Sequence, residues 1–415
     1  MTATLRNYQR EGVERLIEIT DRRGSAILAD EPGLGKTIQV IEFINRLAID
    51  TTLIVCPASL RVNWGKELDK WLINTLQYVE VVSYEEVVNG RFKLEHYGLV
   101  VFDEAHYLKN ASAKRTKACL KISADRRLFL TGTPIVNRPM DAFPILQSCG
   151  MQLTKTEYGK RYCAGKLIPI RWKPVKKYAW DFSGASNTEE LGRSLRRHLM
   201  VRRTKKEVLT EIPRKIRQVI EMDIELTESE VLRVAAERLF NGFSEAAANA
   251  GEVDPVAFAD LSRARLELAQ SKLPHVISFA KDLLEEEDKL VIFAYHREII
   301  DAIAEQLANS VKLYGGMRDK EKNASVENFQ NGDARVFVGQ ITAAGTGLTL
   351  TAAHTMLFAE IDWVPGNIVQ CEDRCHRFGQ TEPVRIFHLT AAGSIDSRMI
   401  RTLVDKQKII ESITS

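Results

Sequence analysis

The residues best suited to chemistry begin with a glycine-rich segment, Asp-Glu-Pro-Gly-Leu-Gly-Lys-Thr at 30–37. It follows an apolar run at 26–28 and opens a helical pattern that extends to Leu47. In that context glycines let backbone N–H groups approach phosphates, the helix N-terminus favours negative charge, and a lysine reaches the β and γ groups. The strict pattern has glycine where Asp30 stands. The residues predicted to bind a nucleoside triphosphate are Asp30, Glu31, Gly33, Leu34, Gly35, Lys36 and Thr37.

A pair of carboxylates, Asp103 and Glu104, directly follows the apolar run at 99–102. In an open α/β sheet, ligands bind at the edge formed by the carboxyl ends of the strands. There Asp103 would hold Mg²⁺ together with the Thr37 hydroxyl, and Glu104 would orient and activate a water. Acids also end strands without any catalytic role, but the glycine-rich segment upstream favours the catalytic interpretation.

Two arginines far along the chain extend this set. Arg374 and Arg377 are three residues apart, so on a helix they lie on one face. Two guanidinium groups arranged in this way can reach a γ-phosphate from across a cleft, as arginine fingers do. We expect both to bind the nucleotide and to act in catalysis. A solvated helix face is the alternative.

Short apolar runs that alternate with helical patterns indicate the elements that position these residues. Such alternation is typical of βαβ units around a parallel sheet, and so of an α/β fold. The runs are Ala26–Leu28, Leu53–Val55, Val79–Val82, Leu99–Phe102 and Leu128–Leu130, then Val291–Phe293, Val336–Val338, Met356–Phe358 and Ile386-Phe387. We predict two α/β domains, at 1–220 and 221–415, with helical insertions at 139–213 and 227–280. In the second insertion, Pro255 is expected to begin a helix and Pro274 to end one.

Motifs along nearly the whole chain resemble those of helicase superfamily two ATPases of the SWI/SNF type. They are Leu5-Arg6-Asn7-Tyr8-Gln9, the segment 30–37, Val55 to Leu60, Asp103 to His106, Leu130 to Pro134, Phe293-Ala294-Tyr295, Thr342 to Leu350 and the segment 370–380. The resemblance implies two RecA-like parallel-sheet domains in tandem, which use ATP and Mg²⁺ and act on DNA. The family commonly has Asp-Glu at 30–31, and Pro32 replaces its usual methionine.

The same resemblance assigns roles to residues outside the glycine-rich segment. Gln9 would bind the adenine edge, and Gly347 would bring the backbone close to the nucleotide. The residues expected to contact DNA are Ser59, Thr131, Thr133, Thr342 and Gly345. Within the family, Ile341 to Thr349 and Phe358-Ala359-Glu360 most resemble the annealing-helicase branch, which rewinds DNA and remodels forks.

Several segments have the composition of a DNA-binding surface. Ser59 follows a strand and begins a helix, where it could bind a backbone phosphate, although an ordinary helix cap explains it nearly as well. Basic residues cluster at 171–177, 196–198 and 202–206. Such clusters contact phosphates, but solvated faces contain them about as often. Trp64 and Trp71, seven residues apart on a helical pattern, are expected in the core rather than stacked on bases.

Composition limits the function classes. The 415 residues are 45% hydrophobic and 27% charged, which is typical of a globular protein. The net charge of +3 neither favours nor excludes nucleic acid. No apolar stretch approaches the roughly 20 residues that span a bilayer, and residues 1–7 do not resemble a signal peptide, so we expect no membrane partner. We expect a monomer, cytoplasmic in a prokaryote or virus-infected host and nuclear if the source is eukaryotic.

The sequence therefore predicts an ATP-driven motor for double-stranded or branched DNA. A strand-separating DNA or RNA helicase of the same superfamily is one alternative. A DNA-binding scaffold that has lost its ATPase activity is another, against which Lys36, Asp103, Glu104, Arg374 and Arg377 all argue.

Overall fold

The structure, a computed structural model, describes residues 5–73, 76–132, 134–135, 138–170, 177–208, 213–224, 255–344, 348–377, 379–397, 399–400, 403 and 413. The chain forms two compact units, one of residues 1–166, 184–210 and 409–415, and one of residues 167–183 and 211–408. Each unit has its own six-stranded sheet. The predicted fold class, two parallel-sheet α/β domains of RecA-like type in tandem, is confirmed.

The first unit is built on strands that follow the predicted apolar runs. They are β1 (Ser25–Leu28), β2 (Thr51–Cys56), β3 (Tyr78–Ser83), β4 (His96–Asp103), β5 (Ser123–Leu130) and β8 (Met200–Val201). All pairings are parallel, in the order β3-β2-β4-β5-β1-β8. The helices of this unit are α1 (Asn7–Arg23), α2 (Lys36–Leu47), α3 (Arg61–Trp71), α4 (Tyr84–Val88), α5 (Lys114–Leu120), α6 (Phe143–Ser148), α7 (Lys155–Tyr162), α8 (Thr188–His198) and α9 (Lys205–Val208).

The core of the first unit lies where α1, α2 and α3 pack on the sheet. Leu16, Val40 and Ile54 are completely buried there, and Trp64 is buried with them. Burying each aliphatic side chain of this size stabilises the fold by roughly 1.5–3 kcal/mol. Trp71 packs against the same cluster while partly exposed, so the prediction that both tryptophans belong to the core is confirmed.

The second unit repeats the architecture. Its strands are β9 (Lys215–Met222), β10 (Leu290–Ala294), β11 (Ser310–Leu313), β12 (Val336–Gln340), β13 (Thr355–Phe358) and β14 (Val384–Ala391). They are parallel, in the order β11-β12-β10-β13-β14-β9. Its helices are α10 (Pro255–Glu286), α11 (Arg297–Gln306), α12 (Asp319–Asn331), α13 (Ile341–Ala344) and α14 (Pro365–Cys375). None of the described helices combines the length and apolarity needed to cross a bilayer.

The segment 139–213 is more than the helical insertion that the sequence suggested. It contains α6 to α9, but also a two-stranded sheet of β6 (Lys166–Ile170) and β7 (Lys177–Asp181). Strand β8 then pairs with β1 and becomes an edge of the first sheet. Two residues are too few to give a periodic signal, which is why this strand escapes sequence analysis. The chain enters the second sheet at β9, within which the proposed boundary at 220–221 falls.

Helix α10 begins at Pro255, as predicted, but it does not end at Pro274. Proline inside a helix costs about 3 kcal/mol or more because a backbone hydrogen bond is lost. On either side of it, Leu268, Val276 and Ala280 are buried. Their burial against the second sheet offsets that cost, so packing rather than local propensity determines where the helix ends.

Candidate nucleotide site

The glycine-rich segment lies between the end of β1 and the first turn of α2. Gly35 precedes the helix with a φ of 77°, a left-handed conformation that favours glycine. A Cβ at this position would lie 2.5 Å from Gln9 Nε2. That amide donates to the Leu34 carbonyl at 3.2 Å. The structure therefore places Gln9, predicted to bind adenine, directly against the phosphate-binding segment.

The Asp30 carboxylate is completely buried and already satisfied within the protein. It accepts hydrogen bonds from the Arg203 guanidinium at 2.5 and 3.0 Å, from the Arg203 backbone N–H at 3.0 Å and from Gln39 Nε2 at 3.0 Å. This network explains why an acid can stand where the strict pattern has glycine. The Asp30 side chain bonds the glycine-rich segment to Arg203, which follows β8. Only the backbone of Asp30 can therefore face a ligand.

The basic cluster at 202–206, considered above as a DNA-binding surface, largely faces inward. Arg202 donates to the Ala29 carbonyl at 2.8 Å, and Arg203 binds Asp30. Lys205 is 4% exposed, and its backbone N–H donates to Glu31 at 2.8 Å. Arg202 and Arg203 donate to the chain around the glycine-rich segment and Lys205 is buried, so these three side chains do not form the exposed basic surface that the DNA-binding interpretation requires.

Lys36 lies near enough to Asp103 for its positive charge to act on the Asp103 carboxylate. Lys36 Nζ donates to the Asp30 carbonyl at 2.8 Å. Burial and the neighbouring Glu104 raise the pKa of Asp103 to about 6, against the opposing effects of a hydrogen bond from Trp64 and the charge of Lys36. The loop after β5 also approaches closely, since a Cβ on Gly132 would lie 2.7 Å from Pro32.

Two aromatic side chains hold Asp103. Trp64 Nε1 donates to Asp103 Oδ2 at 2.8 Å, and the Tyr84 hydroxyl donates to the Asp103 carbonyl at 2.9 Å. The Glu104 backbone N–H donates to Oδ1 at 2.9 Å. Sequence analysis placed Trp64 in the core but missed this role. The sequence signal for it, a tryptophan five residues after Ser59, is too short to interpret from one sequence.

Glu104 has an unusual backbone for a non-glycine residue, with φ and ψ both 51°. Left-handed conformations of this kind cost about 1–2 kcal/mol and persist where the surrounding structure imposes them. The carboxylate lies 3.2 Å from His106 Nδ1, and its side chain is 16% exposed. This left-handed turn leaves the Glu104 carboxylate in contact with His106, while Asp103 is held by Trp64 and Tyr84.

These residues fit a magnesium nucleotide. Mg²⁺ prefers hard oxygen ligands and usually takes only one or two from protein carboxylates. Asp103 supplies a buried carboxylate whose pKa is raised by burial and by Glu104, and a divalent cation bound there would favour its ionised form. Thr37, in the first turn of α2, supplies a half-buried hydroxyl.

The candidate DNA-contacting residues of the first unit differ in exposure. Ser59 is exposed in the short helix after β2, as a phosphate contact requires. Thr131 is 1% exposed, and its backbone N–H donates to the Leu28 carbonyl at 3.1 Å. In this conformation its side chain is not available at the surface. Thr133 lies outside the described residues.

In the second unit, Arg374 and Arg377 converge without sharing a helix face. Helix α14 ends at Cys375, so the expectation of a common face is wrong. Both guanidinium groups nevertheless donate to the Leu348 carbonyl, at 3.3 and 3.0 Å, and Arg377 also donates to Thr349 Oγ1 at 2.9 Å. Burial and the charge of Arg374 lower the pKa of Arg377 to about 10. It remains a cation at neutral pH.

A buried ionic cluster fixes the helix that carries Arg374. Glu372 is 1% exposed and accepts from Lys215 Nζ at 3.0 Å and from Arg217 at 2.6 and 2.7 Å. Lys215 also contacts Asp373 at 2.9 Å. Burial raises the pKa of Glu372, but Lys215 and Arg217 outweigh it and lower the pKa to about 2. Strand β9 thus holds α14 in place through charges that sequence analysis did not single out.

Glu360, the last residue of the Phe358-Ala359-Glu360 segment that resembles the annealing branch, is bonded to the chain after β10. Glu360, after β13, accepts from the backbone N–H groups of Tyr295 and His296, both at 2.8 Å, and lies 2.6 Å from His296 Nδ1. Thr342, in α13, is exposed as a DNA contact requires. Gly345 and Gly347 lie outside the described residues.

Comparison with known proteins agrees with the resemblance seen in the motifs. The SNF2-related domain matches residues 8–100 and 73–257, and the helicase conserved C-terminal domain matches residues 272–379. The mouse DNA annealing helicase and endonuclease ZRANB3 is 33% identical over 440 residues, which cover 98% of this chain and 40% of the mouse protein. The SWI/SNF-related matrix-associated actin-dependent regulator of chromatin subfamily A-like protein 1 of Drosophila melanogaster is 31% identical over 433 residues, 98% of this chain and 55% of the fly protein.

The Sulfolobus solfataricus SWI2/SNF2 ATPase core in complex with dsDNA aligns with 100% of this chain and 93% of its own, at a TM-score of 0.46 and 24% identity. The chain spans about half or less of the length of the mouse and fly relatives. The matched regions contain the glycine-rich segment, the acid pair and the arginine pair, and the SNF2-related domain alone covers more than half of the sequence. The chain therefore belongs to the SNF2-related family.

Proposed function

We propose that this chain is a DNA-dependent ATPase that translocates along double-stranded DNA and remodels branched structures such as forks. The observation that carries the proposal is the arrangement in the first unit, where Lys36, Asp103 and Glu104 meet beside a glycine-rich helix N-terminus. Relatives that are named as annealing helicases support the choice of substrate.

In this proposal ATP is the substrate of the first unit. Backbone N–H groups of residues 33–36 and the Lys36 ammonium bind its phosphates, and Gln9 contacts the adenine. Mg²⁺, held by Thr37 and Asp103, would neutralise charge on the phosphates. Trp64 keeps the Asp103 carboxylate oriented for that purpose.

Glu104 then orients the attacking water and accepts its proton. The arginine pair stabilises the charge that develops on the γ-phosphate during hydrolysis. Two guanidinium groups that are already brought together at the Leu348 carbonyl lose little conformational entropy on reaching an anion.

DNA contacts come from Ser59 and Thr133 in the first unit and from Thr342 and Gly345 in the second. Changes in these phosphate contacts during the ATP cycle move the motor along the backbone without base readout. Movement into a junction favours pairing, which yields roughly 1.4 kcal/mol per base-pair step. The motor acts as a monomer, in the cytoplasm of a prokaryote or virus-infected host, or in a nucleus.

The test is ATP turnover with single-stranded DNA, duplex DNA, forked DNA and RNA, with Lys36→Ala as the inactive control. We expect duplex and forked DNA to stimulate turnover most. Stimulation mainly by single-stranded DNA or RNA would favour the strand-separating helicase. Duplex binding without turnover on any nucleic acid would favour the inactive scaffold.

A further inference from the structure

Cations from two distant parts of the sequence surround one surface cavity of the first unit, about 330 Å³ in volume. Arg15, Arg22 and Arg23 come from α1, and Arg197 and His198 come from the last turn of α8. We call these five residues and their cavity the cationic pocket. None of them takes part in the nucleotide site described above.

The spacing on α1 makes the pocket one face of a helix. Its lining positions 15, 18, 19, 22 and 23 follow the i, i+3, i+4, i+7, i+8 pattern of a single helical stripe. A different face of α1, with Val13, Leu16 and Ile19 buried, packs on the core. The stripe that lines the pocket shares only Ile19 with that face, and its other members are charged.

The acids of α1 do not neutralise this rim. Glu18 is bound to Arg15 at 2.7 Å, and Asp21 is bound to Arg126 at 2.7 Å. Within the described part of the chain, the remaining basic residues of the pocket make no side-chain hydrogen bond or ion pair. These residues are Arg22, Arg23, Arg197 and His198.

The convergence of the two helices is built into the fold. Arg15 Nη2 donates to the Arg197 carbonyl at 2.8 Å, which joins α1 to the end of α8. Helix dipoles favour cations in the last turn of each helix and so account for basic residues there. They do not account for two such ends being brought around one cavity, where like charges repel unless an anion lies between them.

The pocket lies at the edge of the sheet opposite the nucleotide site. Arg23 is followed within two residues by the amino end of β1, and His198 comes just before β8, which runs parallel to β1. The glycine-rich segment follows the carboxyl end of β1, and Ser59 follows the carboxyl end of β2. DNA held at the carboxyl edge would therefore not occupy the cationic pocket.

We propose that the cationic pocket binds backbone phosphates of a second DNA segment, such as another arm of a branched substrate. This inference rests on the proposed function and specifies its preferred DNA structure. Arginine forks match phosphate oxygens in bidentate geometry. Arg15 and Arg22, seven helical residues apart, span about 10 Å, the axial length of about three phosphates along one strand.

The test uses the double variant Arg22→Glu with Arg197→Glu, two exposed side chains whose replacement leaves the core intact. The matched control is Lys155→Glu, an exposed cation of α7 in the same unit. Binding to forked DNA and to a short plain duplex is measured by fluorescence anisotropy without nucleotide, over a series of salt concentrations. Duplex-stimulated ATP turnover is measured at saturating plain duplex.

We expect the double variant to bind the fork at least about 10-fold more weakly, and the slope of log affinity against log salt to fall by about 2, since two phosphate contacts are lost. Plain-duplex binding and turnover should change less than about twofold, and Lys155→Glu should behave as wild type. Unchanged fork affinity, or an equal loss in Lys155→Glu, would overturn the inference. Absence of DNA-stimulated turnover in the wild type would instead count against the proposed function, because the binding comparison needs no ATP.

Discussion

At the scale of single residues, two adjacent carboxylates differ because their surroundings differ. Asp103 ends a buried strand, receives donors from Trp64 and from the Glu104 backbone, and has its pKa raised to about 6 by burial and by Glu104. Glu104 turns into a left-handed conformation beside His106. The proposed roles, Asp103 as a ligand of Mg²⁺ and Glu104 as the group that orients the attacking water, are the two that phosphoryl transfer needs.

That division predicts the effect of Glu104→Gln. The amide keeps the size of the side chain but cannot accept the proton of the attacking water, so hydrolysis should fall by about 10² to 10⁴ while ATP binding remains. Single-turnover hydrolysis and equilibrium binding of a fluorescent ATP analogue measure the two effects. Glu85→Gln, an exposed acid of the same unit, is the control. Near-normal turnover by Glu104→Gln would show that another group is the base.

The arginine pair predicts a loss of rate rather than of affinity. Arg377→Ala should lower the hydrolysis rate by about 10³ to 10⁵, the range typical of arginine fingers, with a smaller effect on ATP affinity. Arg318→Ala removes an exposed arginine of the same unit and serves as the control. The measurement is the single-turnover hydrolysis rate at saturating ATP and duplex DNA. An unchanged rate in Arg377→Ala would show that Arg377 has no catalytic role.

At the scale of elements, α3 connects a candidate DNA contact to Asp103, the acid proposed to hold Mg²⁺. The short helix containing Ser59 leads directly into α3, and Trp64 on α3 bonds Asp103. Movement of this helix on DNA binding would therefore reach the Asp103 carboxylate through one indole N–H. This link gives a physical route by which DNA can stimulate hydrolysis.

Trp64→Phe tests that link, because it keeps the aromatic ring in the core and removes the donor. Loss of a partner to a metal-binding group typically costs about 10–100-fold in metal affinity or activity. We expect a higher Mg²⁺ requirement for ATP turnover and weaker stimulation by duplex DNA. Trp71→Phe is a matched control, since its Nε1 donates to Glu67 on the same helix at 3.0 Å. An identical Mg²⁺ dependence in the two variants would contradict the proposed coupling.

The buried ionic cluster between β9 and α14 predicts that the stability of the second unit depends on pH. Glu372 has its pKa lowered to about 2, so its ionic bonds contribute fully above the unfolded pKa of about 4.5 and are lost as pH falls towards 2. Glu372→Gln should lower the free energy of unfolding of the second unit by roughly 3 kcal/mol at neutral pH. The difference from wild type should shrink in the acid range. Denaturant unfolding at a series of pH values measures this difference in unfolding free energy, with the exposed Glu382→Gln as control. A difference that does not change with pH would contradict the lowered pKa of Glu372.

At the scale of the whole molecule, the alternation of apolar runs with helical patterns predicted two parallel-sheet domains, but not strands β8, β9 and β11. All nine runs became strands of two parallel sheets. Most are fully buried, and a strand covered on both faces must be apolar along its length, whereas β3 is partly buried and contains Glu80. The glycine-rich segment and the acid pair could be placed at strand ends for the same reason. The features that identify them lie within a few residues of each motif, so they can be recognised in the sequence.

Features that depend on distant contacts could not be predicted in this way. Arg203 looked like part of a basic surface, since nothing near it in sequence shows that Asp30 lies beside it in the fold. Pro274 looked like a helix end because the burial that offsets its cost is tertiary. Arg377 converges with Arg374 through the Leu348 carbonyl rather than through helix periodicity.

The measurement that tests the central claim most directly is a gel assay with two DNA substrates, a fully paired fork and a partly melted one. Both are incubated with ATP and wild-type protein, and Glu104→Gln serves as the hydrolysis-deficient control. A motor that contacts both backbones of a duplex should re-anneal the melted substrate and leave the paired fork intact, and Glu104→Gln should do neither. Efficient unwinding of the paired fork, without re-annealing of the melted one, would contradict the account.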